Sequence, residues 1–325
     1  MKPRIFVTRR IPEQALCLLR EQCEVSLWDE EDVPVPRDVL EREIENADGL
    51  YTLLTEKIDA PLLERAKKLK AISNMAVGYN NIDVQSATER GIIVTNTPDV
   101  LTETTADLTF ALLMATARRL MEASYVLRAG EWKTWSPMML AGQDVYGATM
   151  GIIGLGRIGE AIAKRAKGFD MKVLYHNRSQ KPEAEERLGI IYSDMDELLR
   201  TSDYVVIMAP YTPETHHLIG ERELDLMKKT GILINTARGG IVDEQALYDA
   251  LVTKRIWAAG LDVFEVEPVS LDHPLLTLPN VVTLPHIGSA SIATRVGMAT
   301  LAADNLLRAV LGQTPKHVVN PKVLS

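Results

Sequence analysis

Apolar positions along this chain come in two alternating patterns, short unbroken runs and longer stretches spaced three and four residues apart. The runs read as buried strands and the spaced stretches as amphipathic helices. In the first part of the chain, strands are expected at 4–8, 23–27, 49–53, 71–74 and 92–95. Helices are expected between them at 12–21, 37–46, 61–67 and 84–90. Regular alternation of this kind predicts βαβ units and a parallel sheet, here a complete small α/β domain. Residues 98–117 follow as a mostly apolar helix carrying Leu101, Leu108, Leu112 and Ala115. Residues 130–137 (GEWKTWSP) are too polar and irregular to continue it.

A second alternation begins at Met150. The run Met150-Gly151-Ile152-Ile153 ends in Gly154-Leu155-Gly156-Arg157-Ile158-Gly159. Ala161, Ile162, Arg165 and Ala166 then recur at helical spacing, and residues 172–175 read as the next strand. More strands are expected at 204–208, 231–235, 258–261 and 281–284. A final amphipathic helix over 290–311 places Ile292, Val296, Ala299, Ala303, Leu306 and Leu307 near one face. The first domain has no evident ending unless this last helix returns to it. The expected architecture is therefore α/β, with two doubly wound parallel-sheet domains. A discontinuous substrate domain (1–99 and 289–325) would receive a dinucleotide domain (100–288) as an insertion. Two crossings would make a hinge, and a cleft between two α/β domains is a usual place for a small ligand.

Composition narrows the partners. The length of 325 residues fits two domains, and 46% hydrophobic with 25% charged residues is the balance of a soluble globular protein. A formal net charge of −8 argues against nucleic acid or an anionic membrane, because no excess of cations exists to displace counterions. Cys17 and Cys23 read as reduced thiols. No export signal is expected in MKPRIFVTRRIPEQAL, and every apolar run is broken before it reaches membrane-spanning length, so a cytoplasmic protein is expected.

The three glycines at 154, 156 and 159 each have a separate use: a tight turn, close approach of a pyrophosphate to the backbone, and close packing of helix on strand. Their place between a strand and a helix is the context that a dinucleotide-binding turn requires. At the end of the following strand an acidic residue would hold a ribose 2′-hydroxyl. This chain has Asn177-Arg178-Ser179 there, with a guanidinium and a hydroxyl suited to a 2′-phosphate. NADP(H) is the expected cofactor and NAD(H) remains possible. In the alternative reading, Arg178 is only a solvated loop cation.

Three polar residues stand at or just beyond predicted strand ends: Arg238 in TARGG, Glu267 in DVFEVEP and His286 in PHIGSA. Taken singly, each has an ordinary structural reading. Together they suit reduction of a keto group. His286 would donate the proton, Glu267 would favour its charged form, and Arg238 would hold the carboxylate and carbonyl oxygens of a 2-oxo acid.

These motifs, in this order and across essentially the whole chain, resemble the D-isomer-specific 2-hydroxyacid dehydrogenases. The resemblance implies catalytic roles for Arg238, Glu267 and His286, and a dinucleotide domain inserted into a flavodoxin-like substrate domain. It also implies a homodimer formed through the nucleotide domain and the segment of about 118–147. Two stretches are similar to the glyoxylate/hydroxypyruvate reductases within that family. In MAVGYNNID the resemblance implies that the Val77 and Gly78 amides bind the substrate carboxylate, and in WKTW it implies that Trp135 reaches across the dimer. Further implied cofactor contacts are Thr104, Pro210, Thr215, Thr236, Ala237, Asp262 and Gly288, besides residues 154–159 and 177–179. Capping and turn formation are the ordinary readings of Thr104, Pro210 and Thr215. His216 and His217 invite a metal reading, but no third ligand lies at useful spacing and no metal is expected. The rival readings are a 3-phosphoglycerate or D-lactate dehydrogenase of the same fold and, more remotely, a dinucleotide-sensing scaffold like the corepressors that share it.

Overall fold

The computed structural model describes residues 2–324. Its strands are β1 (Arg4–Val7), β2 (Glu24–Leu27), β3 (Gly49–Thr52), β4 (Ala71–Asn74), β5 (Ile93–Thr95), β6 (Thr149–Ile153), β7 (Lys172–His176), β8 (Ile191–Tyr192), β9 (Tyr204–Ile207), β10 (Ile232–Asn235), β11 (Ala258–Leu261) and β12 (Val281–Thr283). Its helices are α1 (Glu13–Gln22), α2 (Arg37–Ile44), α3 (Ala60–Arg65), α4 (Val84–Glu89), α5 (Thr102–Ala117), α6 (Leu120–Arg128), α7 (Arg157–Ala166), α8 (Pro182–Leu188), α9 (Met195–Thr201), α10 (Glu221–Leu226), α11 (Glu244–Val252) and α12 (Ile292–Val310). The chain forms two compact units, one of residues 1–101 with 290–325 and the other of residues 102–289.

The first unit is a five-stranded parallel sheet in the order β2-β1-β3-β4-β5. Every residue of β3 and β4 is buried, as expected of central strands in a parallel sheet covered on both faces. Phe6, Leu50, Ile72 and Val94 form the core beneath α2, α3 and α4. On the other face α12 returns to the sheet. There the Tyr51 hydroxyl donates to Ala299 O at 3.2 Å and the Ser73 hydroxyl to Ala302 O at 2.8 Å. Gly49 permits this approach, since a Cβ there would stand 2.9 Å from Val310.

The second unit is a seven-stranded parallel sheet in the order β12-β11-β10-β9-β6-β7-β8. Ile153 at the end of β6 pairs with Ile207 of β9 and His176 of β7, so these carboxyl ends lie side by side. Two elements depart from the sequence reading. The long helix ends at Ala117, and after Arg119 in the left-handed conformation (φ 53°) a separate helix, α6, begins where none was expected. Strand β8 has only two residues, too short to show a period. Elsewhere the sequence-predicted strands run one residue long at some ends, as at Thr8 and Leu284. These residues still donate to a neighbouring strand, Thr8 N to Tyr51 O and Leu284 N to Leu261 O, but no longer continue the ladder.

Candidate active site

The glycine turn is built as its three positions require. Gly154 has φ +96°, and a Cβ there would run into the Ala209 backbone at the end of β9. Gly156 faces open space. At Gly159 a Cβ would stand 2.9 Å from Gly154 O and 3.4 Å from Ile152, so its absence lets α7 lie against β6. Gly156 also caps α7 without a side-chain bond, and the N–H groups of Ile158 and Gly159 in the first turn suit an anion. Leu155 is buried, Ile158 half-buried and Arg157 exposed. These features fit the diphosphate of a dinucleotide.

Strand β7 ends at His176, and Asn177 is half-buried while Arg178 and Ser179 are exposed. No carboxylate occupies 177–179. Arg178 acts at a distance on Glu214, whose carboxyl is held below the usual range by the Thr212 hydroxyl first, its own backbone N–H next and the Arg178 charge last.

The structure brings Glu267 and His286 into contact, with His286 Nδ1 and Glu267 Oε2 2.6 Å apart. A carboxylate can only accept here, so Nδ1 carries the proton and Nε2 is the ring nitrogen left for chemistry. The other carboxylate oxygen, Oε1, accepts the Phe264 N–H at 3.0 Å. Burial alone would raise the Glu267 carboxyl. The bond to His286, its charge, the Phe264 N–H and Arg238 outweigh burial and leave it below the usual range.

His286 itself has φ +54°, a left-handed conformation uncommon for a residue with a side chain. Asp262 holds it there. The Asp262 carbonyl accepts His286 N at 2.9 Å, and its two carboxylate oxygens accept Ile287 N and Gly288 N, each at 2.8 Å. Burial pushes the Asp262 carboxyl up, and the two amides and the charge on His286 act against it.

Arg238 is carried on a turn clamped by Asn235, whose side chain accepts from Ala237 N at 3.1 Å and donates to Arg238 O at 2.9 Å. Its Nη1 donates to Ala237 O at 2.7 Å. Withdrawal from water lowers the guanidinium pKa and Glu267 acts to raise it, but a guanidine is basic enough to stay charged. Gly239 explains the glycine after the arginine, since a Cβ there would collide with the Phe264 backbone. The Arg238 turn and the segment leading to Glu267 therefore lie in direct contact.

Other sequence-predicted positions have internal partners. The Thr236 hydroxyl meets the Thr109 hydroxyl at 2.7 Å, buried, and the Thr215 hydroxyl donates to Pro210 O at 2.7 Å. Thr104 and Ala237 are half-buried and Gly288 is buried. His216 and His217 stack with ring centroids 3.9 Å apart, and His217 Nε2 meets Glu265 Oε1 at 2.8 Å. No group of three or more His, Cys, Asp or Glu among the described residues is arranged to hold a metal ion.

In the first unit the loop after β4 has its carbonyls tied down. Asn96 Nδ2 donates to Val77 O at 2.8 Å and Asn74 Nδ2 to Gly78 O at 2.9 Å. The N–H groups of Val77 and Gly78 donate to no protein acceptor among the described residues, and both residues are half-buried.

The profile of the D-isomer specific 2-hydroxyacid dehydrogenase NAD-binding domain matches residues 110–288. A glyoxylate reductase from Thermococcus gammatolerans is 52% identical over 328 residues, covering 100% of this chain and 98% of that protein. The chain belongs to the D-isomer-specific 2-hydroxyacid dehydrogenase family. Within this family, a crystal structure of a Thermus thermophilus protein matches with a TM-score of 0.91 at 46% identity, covering 97% of this chain and 99% of that one. The NADPH-dependent glyoxylate/hydroxypyruvate reductase of Sinorhizobium meliloti, solved with NADP and malonate, matches with a TM-score of 0.87 at 36% identity, covering 99% and 98%. This dehydrogenase is accordingly an oxidoreductase that uses a nicotinamide dinucleotide.

The segment 118–147 of this family member is unusually apolar at its surface. Helix α6 has no buried residue, and Leu120, Met121, Tyr125 and Leu127 are exposed. Trp135, Met138 and Tyr146 follow at 71%, 78% and 70% exposure. The sequence reading missed what Asp262 does for the His286 turn and what Asn74 and Asn96 do for the 77–78 loop. An asparagine or aspartate just after an apolar run is a turn signal, but nothing in the sequence names its partner.

Proposed function

We propose that this protein is a homodimeric, NADPH-preferring reductase of small 2-oxo acids, converting glyoxylate to glycolate and hydroxypyruvate to D-glycerate. The observation that carries the reading is the Glu267–His286 pair at 2.6 Å, with His286 Nε2 left for a substrate and Arg238 acting on the same carboxylate. The dinucleotide would be held at Gly154–Gly159 and at Asn177, Arg178 and Ser179, with Thr104, Pro210, Thr215, Thr236, Ala237, Asp262 and Gly288 as further contacts. When bound, it supplies the hydride. Arg238 binds the oxygens of the 2-oxo acid with charge-assisted bonds, and the undonated N–H groups of Val77 and Gly78 suit its carboxylate. His286 gives its Nε2 proton to the oxygen that gains charge, while Glu267 stabilises the charged ring. The glyoxylate reductase relatives support the substrate, and the absence of a carboxylate at 177–179 supports NADPH.

The exposed apolar surface of 118–147 supports a dimer seam. Trp135 within it is assigned to the partner's substrate, near the third carbon that distinguishes hydroxypyruvate from glyoxylate.

A panel of 2-oxo acids with NADPH and NADH tests the reading. Both glyoxylate and hydroxypyruvate should be reduced, with the higher kcat/KM for NADPH. The His286→Ala variant should lose about 10²–10⁴ in turnover while still binding NADPH. A protein inert to both acids would refute the substrate assignment. In the same panel, Trp135→Ala should change the ratio of kcat/KM between the two acids in a persisting dimer. Proportional loss of both activities would place Trp135 in the seam alone.

A further inference from the structure

Asn74, the last residue of β4, is fully buried at 0% exposure. Its Nδ2 spends both hydrogens on the loop that follows, donating to Gly78 O at 2.9 Å and to Asn81 Oδ1 at 3.2 Å. Its own Oδ1 is buried and has no partner among the described residues. Turning the amide over would not relieve this, because Oδ1 would then face two oxygens. A leucine would fill a similar volume without leaving a buried oxygen unpaired. The side chain is therefore explained by its two donors.

The effect of those donors is directional. With Gly78 O held by Asn74 and Val77 O held by Asn96, the carbonyls of the loop are fixed and cannot swing toward an approaching anion. The adjacent Val77 and Gly78 N–H groups are left without protein acceptors among the described residues. Asn81 ties the same loop to its neighbour, donating to Leu53 O and Glu56 O, both at 3.0 Å. An anion site made of backbone amides depends on such fixing, since a preorganised donor pays no ordering cost on binding.

We propose that Asn74 is a positioning residue that sets the carboxylate-binding face of the Val77–Gly78 loop. This inference rests on the assignment of those amides to the 2-oxo acid under Proposed function. Asn74 touches no substrate and acts only through Gly78 O and Asn81.

The test compares Asn74→Ser with Asn81→Ala in the full-length protein, reading KM for glyoxylate, the inhibition constant of oxamate, kcat and the Kd of NADPH. Asn74→Ser should raise KM and the oxamate constant together, about tenfold or more, with kcat within about threefold of the parent and NADPH affinity unchanged. Asn81→Ala loses three side-chain hydrogen bonds against the two of Asn74 but keeps the Asn74–Gly78 contact, so it should move KM less. Should Asn74→Ser not fold, Asn74→Asp keeps the shape, replaces the donor by an acceptor and is read in the same way. An unchanged KM and oxamate constant in a folded Asn74 variant, or equal effects from both sites, would overturn the positioning role. The reading of the protein as a glyoxylate reductase would survive that result, whereas a parent with neither glyoxylate turnover nor oxamate binding would overturn both.

Discussion

The two sheets share a topological feature and use it in opposite ways. In each unit the first strand lies between neighbours from which the chain order runs outward in both directions, β1 between β2 and β3, and β6 between β7 and β9. Such a reversal leaves a crevice beyond the carboxyl ends of the strands, a usual place for a ligand. In the second unit it holds the glycine turn, with Gly154 against the end of β9 and Gly156 facing open space. In the first unit it is filled. Glu56 accepts from the Thr8 and Thr52 hydroxyls at 2.9 and 3.1 Å and from Leu53 N at 2.9 Å, and it pairs with Arg9 at 3.2 Å. The two charged side chains are only 10% and 2% exposed. The same winding thus yields one open crevice and one plugged by a buried ion pair. Topology offers the place, and side chains decide whether a ligand can use it.

A paired substitution tests this contrast and carries the largest expected effect. Glu56→Ala leaves Arg9 buried without its counter-charge and strips partners from three hydroxyls and an amide. It should cost about 3–5 kcal/mol of stability, read from the denaturant midpoint, with NADPH affinity unchanged in the folded protein. Gly156→Ala should do the reverse. Its Cβ meets nothing within 4 Å, so the midpoint should barely move, while NADPH affinity falls by at least about tenfold because the backbone no longer admits a diphosphate. A Glu56 variant as stable as the parent would show that the plug is incidental.

Arg178 sharpens the comparison within the open crevice. If its guanidinium binds the 2′-phosphate, Arg178→Ala loses a charge-assisted bond worth roughly 1.5–3 kcal/mol. That is about ten- to a hundredfold in the Kd of NADPH with little change for NADH. Equal losses for both cofactors, measured by fluorescence titration, would return Arg178 to the role of a solvated loop cation.

The parts of this protein that were legible in the sequence are those with a period or a local signature. Strands such as β9 and β11 are buried at every residue, so their apolar runs are unbroken, and the glycine turn is a contiguous motif. Helix α6 escaped because its apolar residues face outward and Arg119, in a left-handed conformation, separates it from α5. The supports of the candidate site were illegible for another reason. Asp262 reaches Ile287 and Gly288 across 25 and 26 residues, and Asn96 reaches Val77 across 19. Such side-chain bonds to distant backbone leave no periodic trace, and only the folded chain reveals them.

The last and smallest effect concerns the Glu267–His286 pair of the second unit. Glu267 is held below the usual carboxylate range, burial being outweighed by the His286 bond and charge. A carboxyl depressed in this way stays ionised as pH falls through its unfolded value, about 4.3, and its contribution to the pair is lost only at lower pH. The acid side of the profile should therefore show no loss attributable to Glu267 above about pH 4. The other partner of the same contact is the His286 ring. In the proposed reaction His286 Nε2 gives the proton, and the carboxylate 2.6 Å from Nδ1 fixes the ring that carries it. Glu267→Gln removes that charge and preserves the shape. The kcat/KM for glyoxylate should then fall by about tenfold as the charge-assisted bond to the ring is lost, with NADPH binding unchanged. An unchanged kcat/KM would separate Glu267 from the proton transfer and leave it as a structural partner of the Phe264 N–H.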